Sequence, residues 1–265
     1  MSGIKTKIES IRKKQKQNSS NVIQLPLWGE MHRAAPSCVL RSALFGVVKR
    51  GKRVYLERQE LAAWGNDSIS YTGQRLDQSD LDVWLELLHL SRDAELGKTV
   101  EFEKYAMLKK LGRSTGSSDW KWLESSLTRM CASCVHIKSG RKVYFGSLIE
   151  KGFIDEETGR YVVVLNAELS DLFDASYTLQ HSEKRKALKQ DLTKWLCGYV
   201  ESQKATKDAP HRIAISSLYK LCGSERKQLR DFKRDIKESI RQLIESGIIE
   251  AGLVSENDVF QFYKR

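Results

Sequence analysis

Apolar residues that recur every three or four positions predict the main helices of this chain. The clearest stripe covers residues 77–92, where Leu81, Trp84 and Leu88 share one face and acidic side chains occupy the first turn. Comparable patterns predict further helices over 37–48, 103–111, 118–133, 182–203 and 225–246, and a short one beginning at Ser216. Alternating and β-branched runs predict strands over 54–60, 68–72, 99–102, 134–138, 143–148, 161–165, 212–215, 248–254 and 259–263.

The order of these elements predicts the fold. A helix, a turn and a second helix, followed by a hairpin, occur once in the first two thirds of the chain and again in the last third. This is the order of a winged helix. In the first copy, the hairpin around Ser139-Gly140-Arg141-Lys142 follows the second helix directly. We therefore predict an α+β protein with two tandem winged-helix domains, over residues 37–180 and 181–265, preceded by a flexible basic tail over 1–24 and a linker over 25–36.

The charge distribution indicates a polyanionic partner. The chain of 265 residues contains 45 basic and 34 acidic side chains, a net charge of +11. Residues 1–20 carry six basic groups and one acid, and residues 182–265 carry 18 and 12, whereas residues 21–181 are neutral overall. Nucleic acid is the commonest partner for such a balance. A solvated surface that only favours solubility is the alternative interpretation of the second excess.

The helix predicted over 225–246 concentrates this excess. Its apolar stripe consists of Leu229, Phe232, Ile236, Ile240 and Leu243. The DNA-binding residues predicted on its other faces are Arg226, Lys227, Arg230, Lys233, Arg234, Lys237 and Arg241. In a winged helix the corresponding helix enters the major groove, where Arg pairs with guanine edges and Lys meets phosphates. An exposed helix stabilised by ion pairs between its own acids and bases is the alternative.

The first predicted domain offers fewer basic groups. Its second helix is expected to bury a stripe that consists of Trp120, Leu123, Leu127, Met130 and Cys134. The DNA-binding candidates of this domain are Lys121, Ser125 and Arg129 on the helix, and Arg141 and Lys142 in the turn of the following hairpin. A purely structural role, or a role in dimerisation, is left open by the same pattern.

Several classes of function lack their signatures in the sequence. No stretch is long and apolar enough to span a membrane, and the basic N-terminus lacks the apolar core of a secretory signal. There is no Gly-Lys-Ser/Thr phosphate loop, and the histidines and cysteines show no metal-binding spacing beyond the pair Cys131 and Cys134. We therefore expect a non-enzymatic, cytoplasmic protein without metal or cofactor, whose five cysteines are reduced core thiols.

The segment Gln24-Leu25-Pro26-Leu27-Trp28 resembles the short motif that binds bacterial sliding clamps, usually Gln-Leu-x-Leu-Phe. Such a segment can place Leu27 and Trp28 in an apolar pocket while Gln24 forms hydrogen bonds at its rim. The alternative is that Leu25, Leu27 and Trp28 pack onto the first domain as a strap. The pattern alone does not separate the two interpretations.

Five segments of the chain together resemble one protein family. They are Leu25-Pro26-Leu27-Trp28, Val-Leu-Arg-Ser-Ala-Leu-Phe-Gly at 39–46, Tyr-Thr-Gly-Gln-Arg-Leu-Asp-Gln-Ser-Asp-Leu-Asp-Val-Trp at 71–84, Gly-Arg-Tyr-Val-Val-Val-Leu-Asn at 159–166 and Leu221-Cys222-Gly223-Ser224. In this order they resemble the TrfA family of plasmid replication initiators, over about residues 25–250. The tail lies outside the resemblance.

The resemblance implies two winged-helix domains and a protein that binds direct repeats, or iterons, at a plasmid origin and opens a nearby AT-rich region. Double-stranded iteron DNA is the implied partner, with single-stranded AT-rich origin DNA as a further candidate. The implied protein partners are the host sliding clamp, the replicative helicase and the host initiator, with a monomer–dimer equilibrium. The clamp-like motif departs from the usual pattern because it ends in Trp28 rather than Phe.

Two other functions fit parts of the pattern. A transcriptional repressor could use the same two domains, and it would be distinguished by binding a palindrome rather than spaced direct repeats. An origin nickase that forms a tyrosyl–DNA bond has nine tyrosines available. However, the sequence lacks the His-x-His ligand pair of such metal-dependent enzymes.

Overall fold

A computed structural model of the protein describes residues 24–49, 51, 53–93, 96–155 and 157–264. The predicted basic tail, apart from Gln24, lies outside this part of the chain. The elements of the first two thirds are β1 (His32–Pro36), α1 (Ser37–Leu40), β2 (Phe45–Gly46), β3 (Tyr55–Leu61), β4 (Ser68–Gln74), β5 (Leu76–Asp77), α2 (Gln78–Ser91), β6 (Thr99–Glu103), α3 (Lys104–Lys110), α4 (Ser117–Cys131), β7 (Cys134–Ser139), β8 (Lys142–Gly146), β9 (Lys151–Asp155), β10 (Arg160–Val164), α5 (Ser170–Ala175) and β11 (Tyr177–His181).

The last third contains a second series of elements. They are α6 (Ser182–Ala187), α7 (Asp191–Glu201), β12 (His211–Ala214), α8 (Ile215–Leu221), α9 (Leu229–Glu245), β13 (Ala251–Val254) and β14 (Val259–Tyr263). The structure is therefore a mixture of helices and small sheets along the whole described chain.

One arrangement of elements occurs twice. In the first two thirds, α2 is followed by β6, α3 and α4, and β6 then joins the later hairpin β9–β10 in the order β6-β10-β9. In the last third, α7 is followed by β12, α8 and α9, and the sheet order is β12-β14-β13. Both sheets are antiparallel. Each arrangement thus combines three helices with one small sheet. Below, the first unit is the described part of residues 24–180, which contains the first arrangement, and the second unit is that of residues 181–264, which contains the second.

The hairpin β7–β8, which the sequence analysis placed in the first wing, belongs to a different sheet. β7 pairs with β4, which gives the order β3-β4-β7-β8. The turn that carries Arg141 and Lys142 is therefore not part of the sheet β6-β10-β9. The strand that completes the sheet β6-β10-β9, β9, was not predicted, because its apolar residues Phe153 and Ile154 are adjacent instead of alternating.

Two hydrophobic cores are packed side by side. The first extends from Leu25 to Phe173 and the second from Leu188 to Phe262. β11 and α6 connect them, α2 packs against α7, and Trp64 of the first unit contacts the second core. Along the sequence, the first core ends and the second begins on either side of the predicted domain boundary at residue 180. The division into two separate domains stays a prediction.

Three predicted helices have bounds that differ from those of the structure by more than two residues. The helix expected over 37–48 ends at Leu40, because residues 42–46 are all buried and leave no polar face for a longer helix. The helix expected over 182–203 is divided into α6 and α7, since Leu188 is extended (ψ 124°) where the chain enters the second core. The helix expected over 225–246 begins only at Leu229.

Residues 25–36, predicted as a linker, are part of the first unit. Leu25 and Trp28 are buried in its core. Residues 32–36 form β1, which pairs with β11 from His32 opposite His181 to Pro36 opposite Tyr177. The folded first unit therefore begins before residue 37.

Candidate nucleic-acid interface

Helix α9 has one apolar and one polar face, as the sequence predicted. Phe232, Ile236, Ile240 and Leu243 are buried in the second core. Leu229, expected in the same stripe, is instead 39% exposed, because it is the first residue of the helix and the core does not cover that end. The buried stripe fixes which side of α9 faces solvent.

Three basic residues on or next to α9 are exposed and available to bind an anion. Lys227, Arg230 and Lys237 are exposed, and none of them forms an ion pair with the residues that the structure describes. A phosphate that contacts them would not have to displace an internal carboxylate. These three side chains therefore form the best candidate for the centre of a DNA-binding surface.

Two further members of the predicted set share one acidic partner. Arg226 Nη2 lies 2.7 Å from Asp235 Oδ2, and Arg234 lies 3.7 Å from the other oxygen of the same carboxylate. Arg234 also lies 3.7 Å from Asp231. The side chains of both arginines remain more than half exposed, so these weak surface pairs can exchange for phosphate contacts.

The last two members of the set have structural partners. Lys233 Nζ lies 2.5 Å from Asp258 in the turn between β13 and β14, so it ties that turn to α9. Arg241 lies 2.6 Å from Glu238 and 3.0 Å from Glu245. These carboxylates raise the pKa of Arg241 above its ordinary value. Arg241 thus has two carboxylate partners within 3.0 Å on its own helix, although its side chain is 62% exposed.

The segment between α8 and α9 is fixed by the first unit. Glu225 accepts hydrogen bonds from Arg75 and from the backbone N–H of Lys49, both at 2.9 Å. Arg75 also donates to the carbonyl oxygen of Gly223 at 3.1 Å. Gly223 has φ 59°, in the left-handed region that favours glycine. These ties delay the start of the helix, so the first two predicted DNA-binding residues precede α9.

The candidates on α4 separate into two kinds. Lys121 and Ser125 are exposed and line a groove together with Tyr55 and Gln74. The side chain of Arg129 is largely buried, and its Nη2 lies 2.7 Å from the buried carboxylate of Asp80. Arg129 thus serves to hold α4 against α2, and we leave it out of the proposed DNA surface.

The candidates in the β7–β8 turn also differ from each other. Arg141 is exposed and has no ion pair with any described residue. Lys142 lies 2.5 Å from Asp171, a partner that raises its pKa. Arg141 and Lys142 lie at the connection of β7 and β8, in the sheet β3-β4-β7-β8. They are therefore not part of the sheet that follows α4 in the predicted first domain.

A group of aromatic and basic side chains on α3, on α4 and in the turn between them was not predicted from the sequence. Lys104 Nζ lies 4.3 Å from the ring centre of Trp120, and the Arg113 guanidinium lies 3.7 Å from that of Trp122. Trp120 was assigned to the buried stripe, but it is 38% exposed. Tyr105, beside Lys109, is exposed too. The signal in the sequence is the adjacency of bases and aromatics in Lys104-Tyr105 and in Trp120-Lys121-Trp122.

The clamp-like motif is folded against the first unit. Leu25 is 2% exposed and Trp28 is 7% exposed, and the Trp28 ring stacks on Phe173 with 6.2 Å between centres. Gln24 donates to the carbonyl oxygen of Arg92 at 3.3 Å. Leu27 is 71% exposed. This geometry is that of the strap for Leu25 and Trp28, whereas Leu27, expected in the strap as well, does not pack on the body. Clamp binding stays a prediction.

The described residues contain no cluster of metal-ligating side chains and no helix that could span a membrane. Burial raises the pKa of the Cys38 and Cys222 thiols to about 12, and it raises that of Cys197 as well. Cys131 is exposed and Cys134 is only partly buried, contrary to the expectation of five core thiols, because they lie at and just after the end of α4, where that helix leaves the core.

Solved structures share this fold. Domains 2 and 3 of RctB, solved as selenomethionine derivatives, give a TM-score of 0.56 at 13% identity, covering 86% of this chain and 97% of theirs. The Pi initiator protein, solved in complex with iteron DNA, gives a TM-score of 0.52 at 12% identity, covering 71% of this chain and 94% of that protein. The fold is therefore of the class found in the Pi initiator protein and in RctB domains 2–3.

The sequence identifies the family within that class. The family model described as TrfA protein matches residues 4–265, and this chain belongs to that family. The plasmid replication initiator protein TrfA of Escherichia coli is 23% identical over 254 residues, which are 91% of this chain and 64% of that protein. This chain thus spans less than two thirds of that relative's length. The family resemblance predicted from five segments is confirmed.

Proposed function

We propose that this protein is a plasmid replication initiator that binds iteron repeats at its origin and promotes opening of the duplex. In this proposal both repeated units are winged helices, and α9 enters the major groove. The observation that supports it best is the exposure of Lys227, Arg230 and Lys237, on or next to α9, without an ion pair among the described residues, while the apolar stripe anchors α9 in the second core. The family and the fold of the Pi initiator protein point the same way.

Most of the binding free energy would come from phosphate contacts. Each lysine or arginine that neutralises a phosphate releases counterions, so the affinity falls steeply as the salt concentration rises. Arg226 and Arg234 would add base or phosphate contacts after leaving Asp235. Lys233 holds the turn between β13 and β14. In this proposal that hairpin is the wing of the second unit, and its turn would lie beside the same groove.

A charge-removal series tests this surface. Footprinting first locates the protected repeats on the DNA next to the gene, and a duplex of that sequence then serves as the probe in anisotropy titrations. The triple variant Lys227→Ala, Arg230→Ala, Lys237→Ala should bind at least tenfold more weakly, with a salt slope reduced by about 0.9 for each lost phosphate contact. The matched control is Arg241→Ala, which removes a neutralised base. Equal affinities for the triple variant and the wild type would exclude α9 as the DNA-binding surface.

The same proposal includes single-stranded AT-rich origin DNA as a partner. Exposed aromatic rings beside bases are the usual platform for stacked nucleobases, and Trp120 and Tyr105 with Lys104 and Lys109 provide such a platform. Trp120→Ala combined with Tyr105→Ala should weaken binding to oligothymidylate and spare the iteron duplex. Parallel loss of both would assign the aromatic residues to folding.

Host proteins complete the proposal. The TrfA resemblance supports recruitment of the sliding clamp, the replicative helicase and the host initiator, together with a monomer–dimer equilibrium. Clamp binding would use Gln24, Leu25, Leu27 and Trp28. Leu27→Ala should abolish clamp binding without lowering stability, since this side chain is exposed. Unaltered clamp binding would remove the motif from the proposal.

Two further statements belong to the proposal. The protein acts in the bacterial cytoplasm, and it is not an enzyme. Purified protein with magnesium should leave a supercoiled origin plasmid intact, whereas nicking would revive the nickase. Protection of a single palindrome, in place of direct repeats, would favour a transcriptional repressor.

A further inference from the structure

The strap, residues 24–30, is held to the first unit by a set of specific contacts. Besides stacking on Phe173, Trp28 donates its indole N–H to Nδ1 of His89 at 3.0 Å. His89 is fully buried beneath it, near the end of α2. Because Nδ1 accepts this hydrogen bond, the proton of the neutral ring is on Nε2.

Glu30 completes the arrangement from the other end of the strap. Nε2 of His89 lies 3.1 Å from one carboxylate oxygen of Glu30, and the other oxygen accepts a hydrogen bond from Arg92. The same residue, Arg92, offers its carbonyl oxygen to Gln24. Both ends of the strap thus meet at the end of α2, and Trp28 is enclosed between them.

In the folded protein most side chains of the clamp-like motif are already in contact with the first unit. A receptor pocket for Leu27 and Trp28 must surround the indole, and a rim hydrogen bond needs a free Gln24 amide. In the folded protein the indole faces Phe173 and His89, the amide is engaged, and only Leu27 is exposed. The motif therefore cannot occupy the body of the protein and a second protein at the same time.

We propose that the strap masks the motif, so that docking of residues 24–30 on the first unit and binding of the sliding clamp exclude each other. This inference rests on the proposed function, in which the clamp is the partner of Gln24–Trp28. The apparent dissociation constant is then the intrinsic one divided by the fraction of molecules with a released strap. Changes on the body that weaken docking must raise clamp affinity, although they do not touch the motif.

A comparison of affinities tests the masking. A synthetic peptide of residues 20–30 and the full chain are titrated against the purified sliding clamp of the host. The peptide should bind at least tenfold more tightly than the full chain, because its motif is always released. The full-length variant Glu30→Ala removes an exposed side chain that holds both His89 and Arg92. It should bind at least threefold more tightly than the wild type. The matched control Glu183→Ala removes an exposed carboxylate paired with Lys186 and should change nothing.

The outcomes test the proposed clamp partner and the masking separately. A peptide that does not bind the clamp overturns the proposed partner, and the masking with it. A peptide that binds no more tightly than the full chain, or a Glu30→Ala variant that binds no better, overturns the masking alone.

Hydrogen exchange supplies an independent measurement on the wild-type complex. Adding the clamp should increase exchange in residues 86–92 and 170–175, which the strap covers, while it protects residues 24–28. Protection of all three segments would contradict masking, because the strap would then have stayed in place.

Discussion

Arg185 and Asp82 form an ion pair of 2.8 Å that joins the two cores of the protein. Arg185 is only 3% exposed, and it also donates to the side-chain oxygen of Gln78 at 2.9 Å. Lys194 on α7 approaches the same Asp82 carboxylate at 2.5 Å. This cluster fixes α7, on which α9 packs, against α2 of the first unit. The orientation of the proposed DNA-binding helix is thus set by residues far from it in sequence.

The Arg185→Ala variant should be strongly destabilised. The substitution leaves Asp82 with one partner and Gln78 without its buried donor, and removing one member of a buried pair costs about 3 kcal/mol. Urea unfolding should record this loss in the free energy of unfolding. Lys186→Ala, next to it in sequence but in an exposed pair with Glu183, should cost less than about 0.5 kcal/mol. Similar values for the two variants would contradict a structural role for the cluster.

Asp80 supports the first unit in a comparable way. Its carboxylate is fully buried and lies 2.7 Å from Arg129, 3.0 Å from Arg53 and 2.6 Å from the Ser126 hydroxyl. Asp80→Ala should lower the free energy of unfolding by about 3 kcal/mol, because the buried Arg129 loses its carboxylate partner and Arg53 keeps only Asp77. Thermal or urea unfolding measures this loss. Asp171→Ala, which removes the exposed pair with Lys142, is the control and should be nearly neutral.

Gly223 should be intolerant of any side chain. A Cβ atom there would lie 2.6 Å from Arg75 Nη2 and 3.1 Å from the Cβ of Ala43, in addition to the strain of a positive φ. Gly112 has a similar φ of 68°, but a Cβ there would meet nothing within 4 Å. Gly112→Ala should therefore cost only the backbone strain, about 1 kcal/mol, and Gly223→Ala clearly more. Equal unfolding free energies for the two variants would show that the contact with Arg75 adjusts freely.

The docking of the strap should weaken in mild acid. Burial is the main reason why the pKa of His89 lies below its ordinary value of 6.5, although the hydrogen bond to Glu30 opposes the shift. Below that ordinary value the unfolded chain binds more protons than the folded one, so stability falls as the pH drops from about 6.5 toward the folded pKa. The groups that face the ring are Trp28, Glu30, Arg33, Glu86 and Arg92.

Hydrogen exchange at two pH values checks this prediction. After correction for intrinsic exchange rates, residues 25–30 should be less protected at about pH 5.5 than at about pH 7.5. His89→Gln keeps an acceptor for Trp28 but does not titrate, and it should remove the difference. Protection that is constant in the wild type would contradict the role of His89.

Helix faces could be predicted from the sequence because periodicity is local. The stripe on α9 was correct from Phe232 to Leu243, and so was the stripe on α2. Pairing between strands is not local, since β7 finds its partner in β4 more than sixty residues away. No pattern within the hairpin β7–β8 distinguishes that sheet from a wing. The sequence therefore did not reveal that β7–β8 belongs to the sheet β3-β4-β7-β8.

The candidate site was predictable to a similar depth. The basic face of α9 follows from composition, but which bases remain free depends on where Asp235 and Asp258 lie in the fold. Arg129 illustrates the limit, because its buried partner Asp80 is distant in sequence and belongs to another helix. The strap is the opposite case, since the sequence offered both interpretations of Trp28 and only the contact with Phe173 and His89 reveals the packed one.

The pairing of β1 with β11 has a consequence during synthesis. The two strands are roughly 145 residues apart in sequence. Because ribosomes add about 5–20 residues per second, β11 is synthesised roughly 7–30 s after β1. Phe173, on which the strap stacks, is made only shortly before β11. Each nascent chain therefore passes through an interval in which residues 24–36 have left the ribosome but cannot yet close onto the body. In every newly synthesised molecule the Gln24–Trp28 segment is therefore released first and can dock on the first unit only later.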